Sequence, residues 1–169
     1  MKAPTESLDS ESARLPRSTK ALYALGDHTL NVSLSSLSFF YAFFLVEVAE
    51  IRPALAGLIP LIGRIVDAFT DPAMGRISDR TSWRAGRRRP YFLIGMLPLG
   101  ACFAALWWNV PAQEESFRFA YYATAYVLYS LTVTVIAVPY MALLPELTAS
   151  YQERTSLAIY RSVAAVLGT

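Results

Sequence analysis

The residues best suited to chemistry lie in one stretch, GRIVDAFTDPAMGRISDRTSWRAGRRRP, which runs from Gly63 to Pro90. Asp67 and Asp71 stand four residues apart in an apolar setting. On a helix both carboxylates share one face, and Arg64, three residues before Asp67, joins them. An aspartate near the centre of a membrane span costs about 2.5–3.5 kcal/mol on insertion scales. Such residues therefore face a bundle interior or a water-filled cavity. Two carboxylates and one guanidinium leave one negative charge over, which is the electrostatic demand of a monovalent cation site. Carboxylate oxygens are hard ligands that suit Na⁺, and either aspartate is also able to carry a proton. The other reading of the trio is an internal Arg64–Asp67 ion pair that only holds helices together. The second aspartate, one turn on, weighs against it.

Two polar stripes accompany these charges. Asn31, Ser35 and Ser38 are spaced by four and three, and Tyr122, Tyr126, Ser130 and Thr134 by four. Small and polar side chains also serve ordinary helix packing in membranes, so the serines carry both readings. The Thr134 hydroxyl is the best candidate for a further cation ligand. Arg161 lies in a late helix, where it should face the interior and bind an anion or a partner carboxylate, as a ligand or as a structural salt bridge. Glu47 should reach the membrane interface. Asp27 and His28 receive no role, and the single cysteine, Cys102, is read as packing. No nucleophile–base pair, metal-ligand cluster or phosphate-binding glycine loop is legible. Enzyme activity, catalytic residues and cofactors are therefore not expected, and the coupling ion, Na⁺ or H⁺, is the one candidate ligand of that kind.

The elements that must position these residues are helices in a membrane. Of 169 residues, 54% are hydrophobic and 17% charged, below the roughly 25% of soluble domains. The expected fold class is all-α, a polytopic transmembrane bundle of about five helices. They are placed at about 20–49, 53–78, 90–110, 116–147 and from 152 onward. Each of the first four should supply the roughly 20 apolar residues a bilayer requires. Pro53 and Pro90 fit a first helical turn, while Pro60, Pro98, Pro139 and Pro145 should kink their helices. Residues 1–19 read as a disordered tail without a cleavable signal, and 20–169 as the membrane part. Lys2, Arg14, Arg17 and Lys20, with Arg76, Arg80, Arg84, Arg87, Arg88 and Arg89, stand against only Arg52 and Arg118 on the other side. Ten against two predicts a cytoplasmic N-terminus and a cytoplasmic loop between the second and third helices. The cluster suits anionic lipid headgroups as well as topology; a nucleic-acid role is not expected between two spans.

The segment MGRISDRTSWRAGRRRP resembles the cytoplasmic loop signature of the major facilitator superfamily. Gly75, Asp79, Arg80, Gly86, Arg87 and Arg88 fit it, with extra residues between Arg80 and Gly86. The segment DAFTDPAMG is similar to the second-helix motif of the glycoside–pentoside–hexuronide:cation symporters, whose best-known member is the melibiose permease. The resemblance extends from Tyr23 to Gly168. It implies that Asp67 and Asp71 ligate the coupling cation with help from Thr134, and that Arg161 belongs to the substrate site; Tyr126 is expected there as a neighbouring side chain, not from the resemblance. The family's sugar-binding aspartates correspond here to Asn31 and Ala137, two departures. The segment YALGDHTLNVSLSSLSFF aligns without gaps on the sodium-dependent lysophosphatidylcholine symporters of the same superfamily.

The expectation is a cation-coupled symporter of an organic solute working by alternating access. Its substrate is either a sugar or glycoside, or an amphipathic anionic or zwitterionic lipid such as a lysophospholipid. Arg64 and the loop residues from Gly75 to Arg88 would serve structure and gating. The expected location is the plasma or inner membrane. The expected partners are a small-molecule substrate, membrane lipids and a C-terminal half. The last follows because twelve helices are implied and the fifth is expected to be still running at Thr169. The alternative is a non-transporting remnant or a small helix-packing membrane subunit.

Overall fold

The computed structural model describes residues 15–81, 89–144, 148 and 150–168. The expected tail up to residue 14, the loop residues Arg84, Gly86, Arg87 and Arg88, and Pro145 lie outside the described residues. Helix α1 spans Arg17–Ser36 and continues into two π-helical turns, Leu37–Tyr41 and Phe44–Val48. It is followed by α2 (Pro53–Arg80), α3 (Arg89–Leu106), α4 (Glu115–Met141) and α5 (Tyr151–Leu167). Among the described residues there is no strand, so the expected all-α class holds.

Several boundaries differ from expectation. The first helix begins at Arg17, inside the expected tail. Pro16 supplies the carbonyl that accepts from Lys20 N at 3.2 Å, and proline's fixed φ suits a helix entry. The α4 helix ends at Met141, short of the expected Leu147. Pro139 already removes one backbone donor near its end, and residues 142 and 143 form a turn. The last helix closes at Leu167. Gly168 N donates to Ala164 O (3.2 Å) and Ala165 O (3.0 Å). Two helices, α2 with 28 residues and α4 with 27, are long and apolar enough to cross a membrane, whereas Pro90–Leu106 is shorter. Beyond Leu106 the chain turns, which leaves Trp107 and Trp108 outside the helix.

The chain divides into two compact units. The larger is Ser36–Met141. Its core joins Tyr41, Leu45, Ile59, Leu106, Tyr122 and Tyr129. Arg52 caps α2 in extended backbone before Pro53 in the first turn, and the Arg52 side chain meets Glu115 at the start of α4, Nε to Oε2 at 2.9 Å. The turn before α2 also needs Glu50 at φ 52°, an uncommon conformation for a residue with a Cβ. Arg118 ties that turn down, donating to Glu50 O at 3.0 Å and to Ala112 O at 3.2 Å. Gly95 lets α3 lie against α4: a Cβ there would stand 2.9 Å from Ile136 Cδ1.

The other unit is Met1–Ser35 with Ala142–Thr169. Within it α1 and α5 are joined by polar contacts. Lys20 Nζ stands 2.7 Å from Glu153 Oε2 and 2.9 Å from Ser156 Oγ, and Leu15 N donates to Glu153 Oε2 at 3.2 Å. His28 Nδ1 lies 2.9 Å from Ala164 O.

Candidate cation site

The central contact of the larger unit is between α2 and α4. Both run through the polar stripes read from the sequence, and their register is regular. A Cβ added at Gly63 would collide with the ring of Tyr126. One turn on, Ser130 Oγ donates to Asp67 Oδ1 at 2.5 Å. One further turn on, Thr134 Oγ1 donates to Asp71 Oδ1 at 2.8 Å. At the fourth step a Cβ on Gly75 would meet Val138 Cγ1 at 3.9 Å. Every pair is separated by 63 positions, as for the two hydroxyl–carboxylate pairs. Contacts that recur every four residues on both partners follow the i±4 ridge of each helix. Gly63 lets the helices approach closely at one end of this ladder, the Gly75 end has ordinary van der Waals room, and the two aspartates occupy the middle.

The ladder places two acids, Asp67 half-buried and Asp71 exposed, beside two hydroxyls. Asp67 stands at the midpoint of the 28-residue α2 helix. Ser130 and Thr134 are buried, at 7% and 5% exposure. Arg64 is exposed, and among the described residues no ion pair joins it to Asp67 or Asp71. The expected alternative, an Arg64–Asp67 pair holding helices together, is therefore not formed. Arg64 and Asp67 nevertheless both act electrostatically on the Tyr126 hydroxyl, which puts that phenol beside the same cluster.

Two threonines depart from ordinary helical behaviour. Thr29, Thr81, Thr132 and Thr155 each turn the hydroxyl back to the carbonyl four residues earlier, at 2.8–3.0 Å. Thr134 instead reaches Asp71. Thr70, between the two aspartates in sequence, keeps a buried Oγ1 with no hydrogen-bond partner. Pro72 adds to this local deficit, because it has no N–H for the carbonyl of Ala68. Carboxylate, hydroxyl and carbonyl oxygens together are the donor set of a hard monovalent or divalent cation.

The remaining sequence candidates fall elsewhere. Ala137 lies half-buried on α4. Asp79 and Arg80 close α2 and are exposed. Phe39 and Phe40 are 66% and 63% exposed, whereas Tyr122 and Tyr140 are buried. Glu47 sits exposed in the second π-helical turn. Cys102 is half-buried and lies 3.9 Å from Thr132 Oγ1.

Asn31 and Arg161 belong to the smaller unit, where both converge on a residue that the sequence analysis set aside. Asp27 is buried at 6% exposure. Arg161 Nε pairs with its Oδ1 at 3.2 Å, and Asn31 Nδ2 donates to its Oδ2 at 3.1 Å. Setting Asp27 and His28 aside is thus corrected. Asp27 is the carboxylate partner that Arg161 was expected to seek, and His28 meets the backbone of α5. The signal was present, since Asp27 is one turn before Asn31 on the same face. Ser130 was legible as part of a stripe but not as the partner of Asp67.

Comparison with known proteins agrees with the sequence resemblance. A family model described as MFS/sugar transport protein matches residues 22–169. An uncharacterized symporter of Synechocystis is 38% identical over 98% of this chain and 31% of its own length. The sodium-dependent lysophosphatidylcholine symporter 1-A of Danio rerio is 34% identical over 89% of this chain and 28% of its own. The isoprimeverose transporter of Lactiplantibacillus pentosus is 33% identical over 91% of this chain and 32% of its own. The chain thus spans about three tenths of the length of these curated relatives.

Proposed function

The chain belongs to the MFS/sugar transport protein family of the major facilitator superfamily, and from that premise we propose that it forms the cation-binding part of a secondary symporter. The observation that carries this reading is the paired register of α2 and α4, which sets Asp67 and Asp71 against the hydroxyls of Ser130 and Thr134. Among the described residues no arginine pairs with either acid, so their surplus charge draws a cation from water. Asp67, Asp71 and Thr134 act as its ligands. With the charge cancelled, helices can close over a bound solute, and without it they stay apart, which is how cation and solute movements become coupled. Of the named relatives, one is a sodium-dependent lysophosphatidylcholine symporter and one an isoprimeverose transporter. The cation of this chain is Na⁺ in the reading preferred here, with H⁺ as the competitor. The membrane is the plasma or inner membrane, with the N-terminus cytoplasmic. The chain spans about three tenths of its relatives' length, and further helices are proposed to supply the rest of a translocation path.

The solute is proposed to meet Asp27, Asn31 and Arg161. An ion pair of this kind matches a zwitterionic head, whose anionic group takes the guanidinium and whose cationic group takes the carboxylate. A lysophospholipid has such a head. A glycoside is the second reading, favoured by the Asp27 carboxylate itself, which restores to α1 the strong hydroxyl acceptor that Asn31 lacks.

The test uses a transporter of the relatives' full length that carries this segment, in liposomes with an imposed Na⁺ gradient. Asp67→Asn or Asp71→Asn should abolish gradient-driven uptake; ordinary accumulation by either variant rejects the cation site. Challenging uptake with lysophosphatidylcholine and with a glycoside separates the two solute readings. Inhibition by the glycoside alone rejects the zwitterion.

A further inference from the structure

The ligand set above leaves out the second hydroxyl of the ladder. We propose that Ser130 is a positioning residue of the cation site: its hydroxyl holds the Asp67 carboxylate in the orientation that a sodium ion requires. This rests on the cation reading and adds a residue to it.

Three observations support the role. Ser130 donates to Asp67 Oδ1 at 2.5 Å, and it is 7% exposed. A serine inside a helix commonly satisfies its hydroxyl on its own helix, as Ser33 does on Leu30 O (2.9 Å) and Ser78 on Gly75 O (3.0 Å). Ser130 instead sends its only proton across to α2. The third observation is the repeat: one turn on, Thr134 does the same for Asp71 at 2.8 Å. The two carboxylates are thus each held through Oδ1 by an α4 hydroxyl, and an ionised carboxylate so held keeps Oδ2 for a cation.

The consequence is preorganisation. An aspartate has two side-chain rotors, and fixing them before the ion arrives removes an ordering cost from binding. A hydroxyl that merely filled space would need no donor geometry. Cysteine at this position has nearly the same shape and a much weaker donor, so it separates the two roles. Threonine keeps the hydroxyl and adds a methyl group.

The experiment measures Na⁺ binding to the full chain in detergent micelles by isothermal titration calorimetry, with choline chloride holding ionic strength constant. Far-UV circular dichroism checks the helix content of each variant. Asp67→Asn should abolish binding. Ser130→Ala and Ser130→Cys should each weaken it about tenfold, the loss of roughly one charge-assisted hydrogen bond, and Ser130→Thr should restore it. Should Ser130→Ala fail to keep its helix content, Ser130→Cys carries the test. Loss of binding in Asp67→Asn with wild-type affinity in Ser130→Cys overturns the role of Ser130 and leaves the cation site standing. Wild-type affinity in Asp67→Asn overturns the cation site, and with it this inference.

Discussion

At the scale of single residues, the contact with the largest expected consequence for stability is Asp27 with Arg161. The carboxylate is buried while the guanidinium side chain is 33% exposed, so the two partners are not equivalent. Removing Arg161 leaves a buried anion uncompensated, which costs about 3–5 kcal/mol in buried pairs. Neutralising Asp27 leaves a partly solvated cation and costs less. Arg161→Gln should therefore destabilise the chain more than Asp27→Asn does. The double variant should recover most of the loss, because two neutral polar groups can still hydrogen-bond. Thermal unfolding of the chain in detergent, followed by circular dichroism, measures all three. A double variant as unstable as Arg161→Gln alone rejects the pairing as the cause. The same residue shows where reading the sequence stops. Asp27, Asn31 and Arg161 were all visible as polar positions in apolar helices. Sequence spacing relates positions within one helix and says nothing about which of them faces another, so the link from α1 to α5 was hidden and Asp27 was passed over.

At the scale of elements, the ladder between α2 and α4 decides how the site is held. The four-residue spacing of Asp67 and Asp71, and that of Tyr126, Ser130 and Thr134, could be read from the sequence directly. The step of 63 that aligns them could not, because axial register comes from how two surfaces interlock. Gly63 sets one end of that interlock. A methyl group there meets the Tyr126 ring, and overpacking of this kind costs about 1–3 kcal/mol. Gly63→Ala should accordingly lower the melting temperature and weaken Na⁺ binding together, although residue 63 is not a ligand. Shortening the opposing ring in the pair Gly63→Ala with Tyr126→Leu should restore stability. If Gly63→Ala melts and binds as the parent does, the close approach does not set the register. Helix ends were less legible than helix faces for a related reason. The α4 helix ends at Met141, two residues after Pro139 removes a backbone donor, whereas the apolar composition alone continues past it.

At the scale of the whole molecule, the distribution of arginines bears on orientation. The side holding Arg52 and Arg118 has few basic residues, and both are engaged: Arg52 with Glu115 at 2.9 Å, and Arg118 with Glu50 Oε2 at 3.5 Å. Orientation follows the count of basic residues, ten against two, whatever their partners. Retention of Lys and Arg on the cytoplasmic side then favours one insertion mode strongly. The expected topology has residues 84 and 87 inside and Gln113 outside. Single cysteines at these positions, in a Cys102→Ala background, test it with a membrane-impermeant maleimide on intact cells. Gln113→Cys should react without permeabilisation, because it lies in the short connection before α4 rather than within a span. Arg84→Cys and Arg87→Cys should react only after permeabilisation. Replacing one arginine of six in the segment from Arg76 to Arg89 leaves the asymmetry nearly intact, so the probes do not themselves reverse the chain. Labelling in the opposite sense would turn α2 and α4 over in the membrane, and the approach of a cation to Asp67 and Asp71 would have to be derived again from the other side.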